Sequence, residues 1–259
     1  MPAMADADPS TFRRFEHRAG DYAASRPDYP ARLVDFLLQR LGLPAGTAVA
    51  DIGSGTGIFS HLLLGRGLRV TAIEPNDEMR STAEMKLGGH LNFTSGNGTA
   101  QATRLATGSA AAIFCAQAFH WFNEAATLRE WQRILKPGGT AVLIWNYFDE
   151  SSAFFPDYSG VIRAFGAEAE KTISAAWNAH LDNVLFRKGA AETVWFSHDQ
   201  RLDFAGLLRR VASTSYLPNR SDSSWAPMAV SLREVFDRHQ SSGVVTVAYR
   251  TVTVFGPLV

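Results

Sequence analysis

The chain has 259 residues, and 46% of them are hydrophobic, which is enough apolar material for a full core. Its 25 basic residues balance 25 acidic ones, so the formal net charge is zero. A nucleic-acid partner is not expected, because dedicated nucleic-acid binders usually carry a basic excess. No stretch is long and apolar enough to predict a membrane span.

The composition also limits the kinds of structural and metal site. Cys115 is the single cysteine, which excludes an intramolecular disulfide and a cysteine-based zinc site; its apolar surroundings predict a buried thiol. The first ten residues lack the features of a signal peptide, so a cytoplasmic protein is expected. No metal is predicted, because the histidines other than His120 form no cluster: His17, His61, His90, His180, His198 and His239.

Strands and helices alternate through the first 145 residues. Apolar spacing predicts a helix that begins near Pro30 and ends before Gly42. Five strands are predicted, at residues 47–52, 68–73, 91–94, 110–116 and 140–145. Between them we expect helices, one of which (77–87) turns Met79 and Met85 inward, and a turn at 136–139. This alternation is typical of βαβ units and predicts a parallel, doubly wound sheet.

The remaining residues are less regular. Helices are predicted within 147–189, 204–213 and 224–239, and two more strands at 191–198 and 244–255. We therefore expect one α/β domain over residues 1–259, with a doubly wound, mostly parallel, seven-stranded Rossmann-like sheet. A helical lid at 12–41 and helical cap insertions at 147–190 and 204–240 complete the predicted organisation. Aromatic residues between Phe154 and Trp177, with Tyr216 and Trp225, either line a substrate cap or form helical core.

The segment Asp51–Gly57 lies between a predicted strand and a predicted helix. Glycines at 53, 55 and 57 let the backbone turn tightly and let a ligand approach closely. Such a loop binds a nucleotide-like ligand at the carboxyl edge of a parallel sheet. The spacing is G-x-G-x-G, with Ile58 where the dinucleotide pattern G-x-G-x-x-G has its third glycine, and no Lys-Ser/Thr pair follows as in a P-loop.

An acidic residue follows at the end of the second strand. Glu74 stands 21 residues after Gly53. A carboxylate at that strand end is placed to accept hydrogen bonds from two ribose hydroxyls. The alternative is a solvated carboxylate with no ligand.

The glycine loop, Glu74 and the segment Lys136-Pro137-Gly138-Gly139 before a strand together resemble the class I S-adenosylmethionine-dependent methyltransferases. The resemblance is closer to a small-molecule branch, methyltransferase type 11, that includes relatives of trans-aconitate methyltransferase. Its amino-terminal Tyr-x-x-x-Arg-Pro-x-Tyr-Pro is matched by Tyr22–Pro30, and its Phe-His-Trp-Phe by Phe119–Phe122. Two acids of the family pattern are absent: Gln101 replaces one, and Ala110-Ala111-Ala112 occupies the place of the other.

The resemblance implies S-adenosyl-L-methionine as cofactor, with S-adenosyl-L-homocysteine as product. It also implies that the amino-terminal segment covers the methionine end of the cofactor, where Arg26 would suit the carboxylate. The cofactor-binding residues expected on these grounds are Tyr22, Arg26, Asp51, Gly53, Ser54, Gly55, Gly57, Glu74, Pro75, Thr99, Ala100, Gln117 and Ala118.

His120 follows the fourth predicted strand, where α/β enzymes place their chemistry. It is the candidate catalytic residue, either as a general base or as a residue that positions the substrate. Aromatic neighbours at 119, 121 and 122 are expected to form an apolar pocket around it.

The function expected from the sequence is methyl transfer to a small-molecule acceptor. Two alternatives stay open: an NAD(P)-dependent oxidoreductase on a Rossmann sheet, and a non-catalytic module that binds S-adenosylmethionine. The glycine spacing and the lack of a Tyr-x-x-x-Lys pair disfavour the oxidoreductase. The acceptor, its reacting atom and the oligomeric state are not determined by the sequence.

Overall fold

The computed structural model describes residues 26–166, 185–214 and 216–259. These residues form seven α-helices, one short 3₁₀ helix and seven strands. The α-helices are α1 (Ala31–Leu41), α2 (Ile58–Leu64), α3 (Asp77–Leu87), α4 (Glu124–Ile134), α5 (Phe154–Phe165), α6 (Phe204–Ala212) and α7 (Trp225–His239). The strands are β1 (Ala48–Ile52), β2 (Arg69–Ile73), β3 (Phe93–Gly96), β4 (Ala110–Ala116), β5 (Leu135–Phe148), β6 (Glu192–Leu202) and β7 (Val245–Gly256).

All seven strands join one sheet in the order β3-β2-β1-β4-β5-β7-β6. Strands β1 to β5 run parallel, and β7 runs antiparallel to both β5 and β6. The predicted seven-stranded, mostly parallel sheet is therefore confirmed. The strand order reverses between β1 and β4, and open α/β sheets bind ligands outside the carboxyl ends of the strands at such a point.

Side chains of the central strands alternate between two hydrophobic cores. On one face Ile113 and Cys115 of β4 pack with Trp131 of α4. On the other face Phe114 packs with Leu37 of α1 and with residues of α2. Cys115 is fully buried, as its apolar surroundings predicted. Because both faces are covered, β4 has an almost continuous apolar sequence, as buried parallel strands do.

Helices α5, α6 and α7 form a third hydrophobic cluster with the ends of β6 and β7. Its centre includes Tyr158, Leu207 and Leu232, all buried. We call α5, α6 and α7 the cap. The aromatic residues Phe154, Tyr158 and Tyr216 belong to this cluster, so the described part of the aromatic segment contributes to the packing of the cap.

Two details of the sequence prediction are wrong. Met85 is 85% exposed rather than inward, because six positions place it about 120° around α3 from Met79, outside the buried stripe of Met79, Ala83 and Leu87. The predicted turn at 136–139 lies inside β5. There Ala110 pairs with Leu135 and Ala112 with Thr140, so the extra residues bulge from the ladder, with φ of 78° at Gly138.

The predicted amino-terminal lid falls partly outside the described residues, which begin at 26. Its second half is α1, whose side chains Leu33, Val34 and Leu37 have no exposed area and belong to the sheet core. None of the helices in the described ranges has both the length and the apolarity needed to cross a membrane.

The two methionines of α3 test the placement of this helix. Met79→Ala should lower the free energy of unfolding by at least about 2 kcal/mol, because it removes a side chain that is only 6% exposed. Met85→Ala, on the same helix, should change it by less than about 0.5 kcal/mol. Denaturant titration of both variants measures the difference, and equal losses would contradict the burial pattern of α3.

Candidate functional site

The glycine loop lies between β1 and α2, at the carboxyl edge of the sheet. Gly53, Gly55 and Gly57 have φ of 71°, 56° and 80°, a backbone region that L side chains rarely adopt. A Cβ at Gly53 would stand 2.5 Å from Ala118 Cβ and 3.0 Å from Phe122 Cζ. Glycine at 53 is therefore required both by the backbone angle and by the close approach of the segment after β4.

Backbone hydrogen bonds fasten the loop to the end of β2. The amides of Gly53 and Ser54 both donate to the carbonyl of Ile73, at 2.9 and 3.2 Å. The Gly57 amide donates to the carbonyl of Ser54 at 3.0 Å, which closes the turn into α2. Since Glu74 follows Ile73 directly, these bonds set the loop beside the Glu74 carboxylate.

Glu74 is buried, with 7% of its surface exposed. Its Oε2 accepts a hydrogen bond from the Gly55 amide at 3.0 Å, and its Oε1 accepts one from the Asn76 amide at 2.8 Å. Burial raises the pKa of this carboxyl, although the two amides and Arg80 oppose the shift. A carboxylate offers about four acceptor positions, so two remain for hydroxyl donors of a ligand.

Asp51 lies one residue before the end of β1 and is fully buried. Its Oδ2 accepts a hydrogen bond from the Ser60 hydroxyl at 2.6 Å, and its Oδ1 has no partner in the described part of the chain. Burial raises the pKa of Asp51 to about 7, against the effect of the Ser60 hydroxyl. The Thr56 hydroxyl is also buried without a partner in the described residues, so two polar atoms of this region have unused hydrogen-bonding capacity.

The segment after β4 forms the other side of the site. Gln117 has φ of 58°, an uncommon angle for a residue with a side chain, and its Nε2 donates to the carbonyl of Asn146 at 3.2 Å. Asn146 in turn donates from Nδ2 to the carbonyl of Asp28 and accepts from the Thr251 hydroxyl at 2.6 Å. Hydrogen bonds thus link the residue after β4, the last part of β5 and the middle of β7.

His120 lies in a single 3₁₀ turn, Phe119–Trp121. Its Nδ1 is buried and has no hydrogen-bond partner in the described residues. Burial, and then the charge of Arg26, lower the pKa of His120 to about 4, so the ring is neutral near pH 7. Phe119 was expected to line an apolar pocket around His120. It packs instead into the sheet core, against Trp131.

The other predicted cofactor residues occupy different positions around this edge. Arg26 donates from Nη2 to the Ser213 carbonyl at 3.1 Å, which joins it to the end of α6. Pro75 is half-buried beside Glu74, and Ala100 is buried. The Thr99 amide already donates to the carbonyl of Ala102 at 3.2 Å. Tyr22 lies outside the described residues.

Two adjoining cavities border the glycine loop and share Thr56 and Ile58. A cavity of about 30 Å³ lies over Asp51 and the loop, and Tyr29 and Phe59 also line it. A larger cavity of about 330 Å³ extends from Gly57 toward Arg26, His61 and Lys86. The larger volume is at the lower end of the range of small-molecule sites, roughly 300–1,000 Å³.

Sequence reasoning missed several residues of this edge. Tyr29, Thr56, Ser60 and Asn76 contact the loop, its carboxylates or its cavity. Phe122, which was expected in an apolar pocket around His120, lies against the loop at Gly53. Asn76 alone had a local signal, because an Asn before a helix is a common N-cap, and its side chain does accept from the Met79 amide. The described residues contain no group of three or more side chains that could bind a metal ion.

A family model described as "Methyltransferase domain" matches residues 50–143, which include the glycine loop, Glu74 and His120. An uncharacterized methyltransferase of Geobacillus kaustophilus is 30% identical over 149 residues, which cover 54% of this chain and 68% of that protein. One from Mycobacterium tuberculosis is 34% identical over 148 residues, 57% of this chain and 58% of the relative. The chain thus spans little more than half the length of the mycobacterial protein.

Solved structures agree on the fold. A structure assigned to the type II methyltransferases, from Anaeromyxobacter dehalogenans, aligns with a TM-score of 0.69 at 20% identity and covers 90% of this chain and 97% of that one. An S-adenosylmethionine-dependent methyltransferase from Geobacter sulfurreducens, in complex with S-adenosyl-L-homocysteine, aligns at 0.53 and 19% identity, with 95% and 98% covered. The predicted family and fold are confirmed: this chain belongs to the methyltransferase domain family and has the class I S-adenosylmethionine-dependent methyltransferase fold.

Proposed function

We propose that this chain transfers the methyl group of S-adenosylmethionine to a small-molecule acceptor. The observation that supports this most strongly is the pairing of the left-handed glycine loop with the buried Glu74 carboxylate at the switch point of the sheet. Family membership agrees with this activity, and so does the S-adenosyl-L-homocysteine bound to the Geobacter sulfurreducens structure.

The polar groups at the switch point fit the chemical features of this cofactor. Glu74 retains two acceptor positions, which suit the two hydroxyls of a ribose. The loop has no Cβ at 53, 55 or 57, so its backbone can approach a ligand closely. Arg26 borders the larger cavity and offers a guanidinium for the carboxylate at the methionine end.

Methyl transfer from a sulfonium is an in-line displacement, in which the bond from carbon to sulfur breaks as the bond from carbon to the acceptor forms. The bound cofactor supplies the activated methyl group. The protein orients the acceptor, which lowers the entropic cost of reaching the reactive geometry. It also excludes water from the reacting groups. His120 has a pKa too low for efficient proton removal at neutral pH, so in this proposal it positions the acceptor as a neutral imidazole.

Incubation with methyl-labelled S-adenosylmethionine and a panel of small acceptors tests the activity directly. Label should move to at least one acceptor. Gly53→Ala should abolish transfer and cofactor binding, because a Cβ there meets Ala118 and has an unfavourable φ. Gly46→Ala is the matched control: its φ is 83°, but a Cβ there has nothing within 4 Å. If both variants lose transfer equally, backbone strain alone explains the loss, and the close approach at Gly53 has no role.

Glu74→Ala should weaken S-adenosylhomocysteine binding by about 30-fold or more, since it removes the charged acceptor for two hydroxyls. Calorimetry with the 2′-deoxy form of the ligand identifies the cause. Wild-type protein should discriminate against the deoxy ligand, whereas Glu74→Ala should bind both forms equally. The control is Glu84→Ala, an exposed carboxylate on α3. Discrimination that persists in Glu74→Ala would exclude the ribose contact.

His120→Ala should lower kcat/KM by about 10- to 100-fold and leave cofactor affinity within about threefold. Because the ring is neutral above its pKa of about 4, the wild-type rate should show no histidine-dependent rise between about pH 5.5 and 8.5. A rise near pH 6.5 that disappears in the variant would instead identify His120 as a general base.

A further inference from the structure

Arg210 is a cation buried inside the cap. It lies on α6, and only 6% of its surface is exposed. Its Nε donates to the Tyr249 hydroxyl at 3.3 Å, and its Nη1 donates to the Thr214 hydroxyl at 3.2 Å. The guanidinium carbon stands 5.7 Å from the centre of the Phe148 ring. All these neighbours are uncharged groups.

No carboxylate balances this charge within the described residues. None of the Asp or Glu oxygens there lies within 4.0 Å of the Arg210 nitrogens, whereas the adjacent Arg209 pairs with Asp203 at 4.0 Å. A buried charge without a counterion is costly, because removal from water is only partly offset by neutral hydrogen bonds. A negatively charged ligand would supply the missing compensation.

Contacts place Arg210 above the carboxyl edge of the sheet. Phe148, which it covers, lies two residues beyond Asn146, the hydrogen-bond partner of Gln117. Three residues after Arg210, the Ser213 carbonyl accepts from Arg26, which borders the larger cavity. A strand rises about 3.3 Å per residue, so Phe148 stands roughly 7 Å above Asn146. Arg210 therefore lies over the last residue of β5, beyond the hydrogen bond between Gln117 and Asn146.

Tyr158 adds a second polar group to the same region. Its side chain is 3% exposed and stacks on Phe154, with ring centres 5.1 Å apart. It lies within electrostatic range of both Arg210 and Arg26. A guanidinium can bind a carboxylate through two parallel hydrogen bonds. A nearby phenol hydroxyl can donate a third hydrogen bond to the same anion.

We propose that the methyl acceptor bears a carboxylate, which binds to Arg210 with Tyr158 beside it. This inference rests on the proposed methyltransferase function and names the substrate class. One buried positive charge among neutral hydroxyls matches a single negative charge, and the planar fork of arginine matches the planar carboxylate. The methyl group is transferred to another atom of the acceptor, at the His120 end of the site.

Calorimetric titration of the protein loaded with S-adenosylhomocysteine tests this class with three matched pairs of probes: phenylacetate and phenylacetamide, hexanoate and hexanamide, succinate and succinamide. At least one acid should bind about tenfold or more tightly than its amide. Arg210→Met should abolish that preference. Arg209→Met is the matched control, because it removes the same charge from an exposed position on the same helix.

A purely structural role for Arg210 makes a different prediction. Thermal melting of Arg210→Met would then fall while the preference for acids stayed. Arg210→Lys keeps the charge, and Tyr158→Phe removes only a hydroxyl; each should reduce the preference by about threefold to tenfold if the protein folds. The proposal is overturned if no acid is preferred by wild-type protein, or if Arg210→Met keeps the preference. Failure of the proposed function appears separately, as absence of cofactor binding by wild-type protein.

Discussion

The site depends on one constraint, the close approach of the glycine loop to the segment after β4. Gly53 leaves no room for a Cβ against Ala118, and its amide is held by the Ile73 carbonyl. In the same loop, the Gly55 amide donates a hydrogen bond to the Glu74 carboxylate. A displaced loop would therefore disturb the carboxylate, the cavity and the 3₁₀ turn of His120 together. The family match over residues 50–143 covers all of these parts.

The fold could be predicted from the sequence where periodicity determines burial. Continuous apolar runs such as Ala110–Ala116 gave buried parallel strands, and the alternation with helices predicted the doubly wound sheet. Predictions were wrong where the local pattern allowed two outcomes. Met85 is apolar but faces solvent, and the Gly138-Gly139 turn is accommodated as a bulge because β5 continues to pair with β4 on both sides of it.

The candidate site was predictable in its glycines and in Glu74, which have a fixed spacing along the chain. Other features arise only when distant segments meet. The left-handed backbone at Gln117 has no local sequence signal, and the link from Gln117 through Asn146 to Thr251 joins three separate strands. Acid–base properties also depend on burial. Asp51 and His120 have pKa values near 7 and 4 because burial disfavours their charged forms. The sequence does not show which side chains are buried, so it could not predict these shifts.

The separate hydrophobic cluster of the cap has an evolutionary consequence. Residues such as Leu207 and Leu232 pack among α5, α6 and α7 and share with the sheet mainly the ends of β6 and β7. Substitutions far apart and without shared partners act almost independently on stability. Mutations in the cap can therefore accumulate without repacking the two cores that support the glycine loop. Related chains can therefore differ in the cap while the packing around the glycine loop is retained.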